Sequence, residues 1–97
     1  MTITKEQNGS AVTLLLSGRL DTLTAPELEK AVQAASDAQS LVFDFSNLDY
    51  ISSAGLRVVI AAHKQFVSMG GLVVQNVNEM VRDVFEVTGF NGILTIR

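Results

Sequence analysis

The run Leu41-Val42-Phe43-Asp44-Phe45 limits what this chain can fold into more than any other stretch. Nearly continuous apolar residues leave no wet face, so the run reads as a strand covered on both sides, and such strands belong to parallel sheets flanked by helices. The flanking sequence agrees. Upstream, Leu28, Ala31, Val32 and Ala35 recur at helical spacing. Downstream, a helix is predicted from about Ala54 to Met69, with Leu56, Val59, Ile60, His63, Phe66 and Val67 on one face and Arg57, Ala61, Lys64 and Ser68 on the other.

The other elements follow from turn and cap chemistry. Ile3 begins a first strand, Asn8-Gly9-Ser10 signals a hairpin turn, and Ala11 to Ser17 forms a second strand antiparallel to the first. Gly18-Arg19-Leu20-Asp21 leads out of it. Thr24 is placed to cap the first helix, with Glu27 completing a capping box and Pro26 in the first turn. Gly70-Gly71 ends the second helix and Leu72 to Gln75 forms a strand. Asn78 caps a third helix carrying Val81, Val84, Phe85 and Thr88; Gly89 stops it, with Phe90 folding back on Phe85. Residues 93 to 96 make the last strand. The order ββαβαβαβ describes an α/β fold with three to four helices and a mixed, mostly parallel sheet whose one antiparallel strand is N-terminal. Parallel strands end at one edge, so GRLDT, SNLDYISS and QNVNE should emerge on a common rim, where open α/β sheets place their sites.

Length and composition bound the rest. The 97 residues should make one domain spanning 1–97. A net charge of −3, with seven Lys and Arg forming no stripe, gives no support to nucleic-acid binding. Without cysteine there is no disulfide, thiolate or Cys-metal chemistry. No apolar run approaches the ~18 to 20 residues of a membrane span, and the N-terminus lacks a signal-peptide core. The expected location is cytoplasmic.

On the rim, Ser52-Ser53 precedes the second helix. A serine there ordinarily caps the helix, contributing roughly 1 kcal/mol. One cap needs only one serine, however. Gly55, inside the first turn, costs up to about 1 kcal/mol relative to alanine, which makes sense if another molecule's backbone must approach closely. A serine hydrolase fails on distance: the only histidine, His63, lies ten residues along the same helix from Ser53, roughly 15 Å away. The stretch lacks the glycines and lysine of a phosphate-binding loop. An exposed serine that is itself phosphorylated fits the same helix-end physics better.

The segments LSGRLDT, LVFDFSNLDYISSAGL and GGLVVQNVNEMVRDVFEVTGF lie in the order found in one family, and nearly the whole chain is similar to it. The sequence resembles the STAS domain of bacterial anti-sigma factor antagonists, also called anti-anti-sigma factors. The resemblance implies a partner switch without enzyme activity or cofactor. Such a protein binds an anti-sigma factor that is also a serine/threonine protein kinase, and phosphorylation of one serine breaks the contact. A metal-dependent serine phosphatase resets it. The family's acceptor stands two residues before the glycine that opens the helix, which here is Ser53, with Ser52 the lesser candidate. Relatives often carry aspartate at the position of Ser52 and a second hydroxyl at that of Ala54.

Partner-binding candidates are Asp21, Thr22, Asp49, Ser52, Ala54, Gly55, Arg57 and Lys64. Each has an ordinary reading too: Asp21 and Asp49 as solvated loop carboxylates, and Arg57, Lys64 and Ser68 as a solvated helix stripe. Asp44 interrupts an apolar strand and so needs hydrogen bonds or a wet end. Two carboxylates on different loops are too few to indicate a metal. His63 should tuck beside the core. The expected assembly is a monomer or weak dimer. The alternative function is a STAS scaffold or regulatory subunit of a membrane transporter or sensory complex, acting without phosphorylation.

Overall fold

A computed structural model describes all 97 residues. Strand β1 (Thr2–Asn8) pairs antiparallel with β2 (Ala11–Leu20), joined by a two-residue turn in which Gly9 takes φ 64°. Strands β3 (Ser40–Ile51), β4 (Leu72–Gln75) and β5 (Thr95–Ile96) follow in parallel, so spatial order equals chain order. Helices α1 (Ala25–Ala34), α2 (Ser53–Phe66) and α3 (Glu79–Thr88) form the crossovers. The predicted order ββαβαβαβ is the observed one.

The covering of the sheet differs from expectation. In β2, β3 and β4, buried and half-buried residues alternate: Leu41, Phe43 and Phe45 are buried, whereas Val42 and Asp44 are half-buried. Leu28, Val59, Phe66, Val81 and Phe85 from the helices join the buried strand residues in one apolar cluster. The helices thus seal one face, and the opposite face keeps partial access to water. Val42 supplied the apolar continuity of LVFDF without needing full burial.

A second difference bears directly on the rim. β3 continues through Ser46, Asn47 and Asp49 to Ile51, pairing with β2 as far as Arg19↔Tyr50 and Leu20↔Ile51. β4 stops at Asp44↔Gln75. Beyond that level β2 and β3 project as a two-stranded ribbon, with irregular register between Leu15 and Ser17 and between Gly18 and Arg19. SNLDY is therefore strand, not loop. Its polar residues mimic turn chemistry, but buried Leu48 and Ile51 hold it to the core.

Helix ends account for smaller corrections. α2 stops at Phe66 and tightens into a 3-10 turn, Val67–Met69, which swings Val67 out to 60% exposure instead of onto the core face. Gly70 and Gly71 both take positive φ, and His63 lies so close over Gly71 that a Cβ there would sit 2.9 Å from its Cε1. Asn78 caps α3 as predicted, its Oδ1 accepting from Val81 N–H at 2.8 Å. Gly89 ends α3 at φ 78°, and Phe90 packs against the core cluster. Thr88 is exposed, its hydroxyl donating to the Val84 carbonyl at 2.7 Å. A 3-10 turn at Phe90–Gly92 takes up the residues before β5, which shortens that strand to two. No helix is long and apolar enough to cross a membrane.

Candidate functional site

The two serines do different work. Ser52 is the N-cap of α2: its backbone is extended (φ −95°, ψ 174°) and its Oγ accepts from Gly55 N–H at 3.3 Å. Its own N–H donates to the Leu20 carbonyl at 2.8 Å, and its carbonyl accepts from Leu56 N–H at 2.9 Å. Ser52 is thereby committed to joining the ribbon to the helix. Ser53 is the first helical residue, one before the predicted start, exposed and without a side-chain hydrogen bond. Aspartate accepts a cap bond as well as serine does, which explains why either residue suits position 52.

Gly55 also has a different reason from the expected one. It is buried, and a Cβ there would lie 2.6 Å from Leu20 Cγ and 2.9 Å from the Leu20 carbonyl oxygen. The close neighbour is the end of β2 in the same chain, not another molecule. Gly55 shapes the site from below, and half-buried Ala54 packs against the core.

The β2–α1 connection is fixed by Asp21. Its Oδ1 accepts from Leu23 N–H at 3.0 Å and Thr24 N–H at 3.1 Å. Thr24 gives α1 no side-chain cap, so the predicted capping box does not form. Its hydroxyl is taken up in the turn, accepting from Asp21 N–H at 2.8 Å and donating to the Arg19 carbonyl at 2.7 Å. Desolvation, the largest single influence, pushes the Asp21 carboxyl up. The hydrogen bonds from Thr24 and Leu23, with the charge of Arg19, outweigh it and hold Asp21 below its ordinary value. Arg19 lies 3.8 Å from Asp21 by its Nε and covers the Tyr50 ring at 4.3 Å, bracing the tip of the ribbon. Thr22 and Leu23 are exposed beside it, Leu23 at 87%, and Asp49 is exposed on the ribbon.

Asp44 satisfies the condition its place demanded. It is half-buried and accepts from Ser46 N–H at 2.9 Å and from the amides of Gln75 and Asn76 at 3.2 Å. Burial pushes its carboxyl up, but bonds from Ser46, Asn76 and Gln75 win and leave it below its ordinary value. With Asn78 Nδ2, which donates to the Leu48 carbonyl at 2.8 Å, Asp44 clasps the loop after β4 to the base of the ribbon.

A groove of about 420 Å³ runs along α2 from Ser53. Leu56, Ile60, Ala61 and Phe90 supply its apolar lining, and Arg57 and Lys64 add two cations. The structure thus unites Ser53, Arg57 and Lys64 in one surface feature, with Asp21, Thr22 and Asp49 outside it. Sequence reasoning did not place Ile60 or Phe90 at the groove, nor single out the exposed Leu23. Ile60 and Phe90 carry apolar signals that fit a core equally well, and both are half-buried. Leu23 offered a clearer signal, a large apolar residue in a polar turn. His63 is half-buried, and its Nδ1 is buried without a hydrogen-bond partner.

A one-sided mixed sheet, with a grooved helix crossing from β3 to β4, defines a small α/β domain. The sequence profile described as "Mlab, STAS domain" matches residues 3–95. BtrV of Bordetella bronchiseptica, assigned to the anti-sigma factor antagonists, is 36% identical over 99% of this chain and 85% of its own length. The anti-sigma-B factor antagonist of Bacillus subtilis is 30% identical over 94% of this chain and 85% of its own. Among solved structures, an anti-sigma factor antagonist from Mycobacterium paratuberculosis superposes with a TM-score of 0.88 at 26% identity, covering 98% of this chain and 83% of that one. The chain belongs to the STAS domain family, and these bacterial relatives are anti-sigma factor antagonists by name.

Proposed function

We propose that this chain is an anti-sigma factor antagonist that works by partner switching, with Ser53 as its phosphoacceptor. Unmodified, it binds an anti-sigma factor that is also a serine/threonine kinase. The kinase moves a phosphoryl group from ATP to Ser53 Oγ and the pair separates; a metal-dependent serine phosphatase restores the hydroxyl. The chain supplies a surface and a substrate hydroxyl, and the chemistry belongs to its partners.

The observation that carries this reading is the division between the two serines. Ser52 holds the helix cap and the Leu20 carbonyl, leaving Ser53 exposed at the head of an apolar groove. Modifying Ser53 therefore breaks no hydrogen bond of the fold. Phosphate adds about −1.5 to −2 charges, which the N-terminus of α2 accommodates with a gain of about 0.3–1 kcal/mol. At a docked interface the same dianion must lose its water. A penalty of about 4 kcal/mol would weaken binding roughly a thousandfold, enough for a switch without refolding.

Affinity capture from cell extract with wild type, Ser53→Ala and Ser53→Asp tests the reading, with partners identified by mass. Wild type and Ser53→Ala should retain a serine/threonine kinase that Ser53→Asp loses. Retention of that kinase by Ser53→Asp would overturn the proposal. Capture of transporter or sensory-complex subunits, indifferent to residue 53, would favour the scaffold alternative instead.

A further inference from the structure

Ser53 and Arg57 are four residues apart on α2, both exposed, and both line the same groove. Four residues rise about 6 Å along a helix and return to the same face. An arginine side chain spans that distance, and an anion placed N-terminal to a cation at this spacing is the favourable order. The molecule has one ion pair, Arg19 with Asp21, so Arg57 has no carboxylate within bridging distance. Glu29 shares the adjoining groove between α1 and α2 with Arg57 but forms no bridge to it. Lys64 also lines the groove, but at eleven residues from Ser53 it lies about 16 Å further along the axis, beyond reach.

We propose that Arg57 captures the phosphate of phosphorylated Ser53 within the same chain, acting as a built-in counter-ion for the switch. This rests on Ser53 being the phosphoacceptor. The guanidinium offers paired N–H donors that match phosphate oxygens, an arrangement stronger than a neutral hydrogen bond. Its consequence reaches past stabilising the charge. In the unmodified protein Arg57 is free to meet an acidic group of a docking partner. Once Ser53 is phosphorylated, a tethered dianion competes for that cation at high effective concentration. One modification then both adds an anion to the groove and withdraws a cation from the partner.

The test uses full-length protein with phosphoserine installed genetically at position 53, so it needs neither kinase nor partner. The readout is the second ionisation of the phosphate, ordinarily near pH 6, followed by phosphorus NMR. A bound cation favours the dianion, so the wild-type pKa should lie about 0.2–0.4 unit below that of Arg57→Gln. Arg57→Lys should recover part of the difference, and Lys64→Gln should titrate with wild type. Added salt should shrink the gap. Coincident titrations of wild type and Arg57→Gln would overturn the clamp and leave partner switching itself untouched, because that is read separately by kinase capture.

Discussion

Asp44 shows how one residue can look misplaced in sequence and be well served in the structure. It interrupts LVFDF, yet its carboxylate collects Ser46 N–H and the side-chain amides of Gln75 and Asn76. Because these bonds hold its native pKa below the ordinary value, the carboxylate contributes stability above the ordinary carboxylate range, and loses it as pH falls through the lowered value. Replacing Asp44 by alanine should therefore cost about 1–2 kcal/mol at neutral pH. The deficit should narrow as pH drops below about 4. Urea unfolding at a series of pH values measures this, and a deficit independent of pH would show that the charge is not what matters. Asp21 is depressed in the same direction but is more exposed, so its screened contribution is smaller.

At the scale of elements, α2 is the informative case. Its start and its core residues Leu56, Val59 and Phe66 were legible from helical spacing, whereas the 3-10 turn that ends it early and exposes Val67 was not. What local pattern could not divide was the work of Ser52 and Ser53. That depends on which oxygen faces Gly55 N–H and on the arrival of the Leu20 carbonyl from 32 residues upstream. The same distant contact explains Gly55, whose need for a missing side chain is set by β2. The ribbon was unreadable for a related reason: Ser46, Asn47 and Asp49 have turn-forming side chains, and only pairing with β2 keeps them extended. Thr24 fits a capping box by spacing, but Asp21 claims its hydroxyl for the preceding turn. The structure predicts unequal serines. Ser52→Ala should destabilise the protein by about 1 kcal/mol through loss of the cap, whereas Ser53→Ala should stay within about 0.5 kcal/mol of wild type. Thermal unfolding of both variants checks the ranking, and equal losses would contradict the assignment of the cap.

At the scale of the whole molecule, the parts are arranged around an edge. The sheet is sealed by helices on one face, the β2–β3 ribbon rises beyond β4, and the groove of α2 begins at Ser53, where the ribbon joins that helix. On the proposed function, a partner docks at that edge above the apolar cluster, and the charge on one hydroxyl governs association while the fold stays constant. The central claim is thus a statement about affinity. Once the kinase retained by wild type is purified, calorimetric titration should compare its binding to the unmodified protein and to protein carrying phosphoserine at position 53. The account predicts binding weaker by about a thousandfold for the phosphorylated form; equal affinities for the two forms would contradict it.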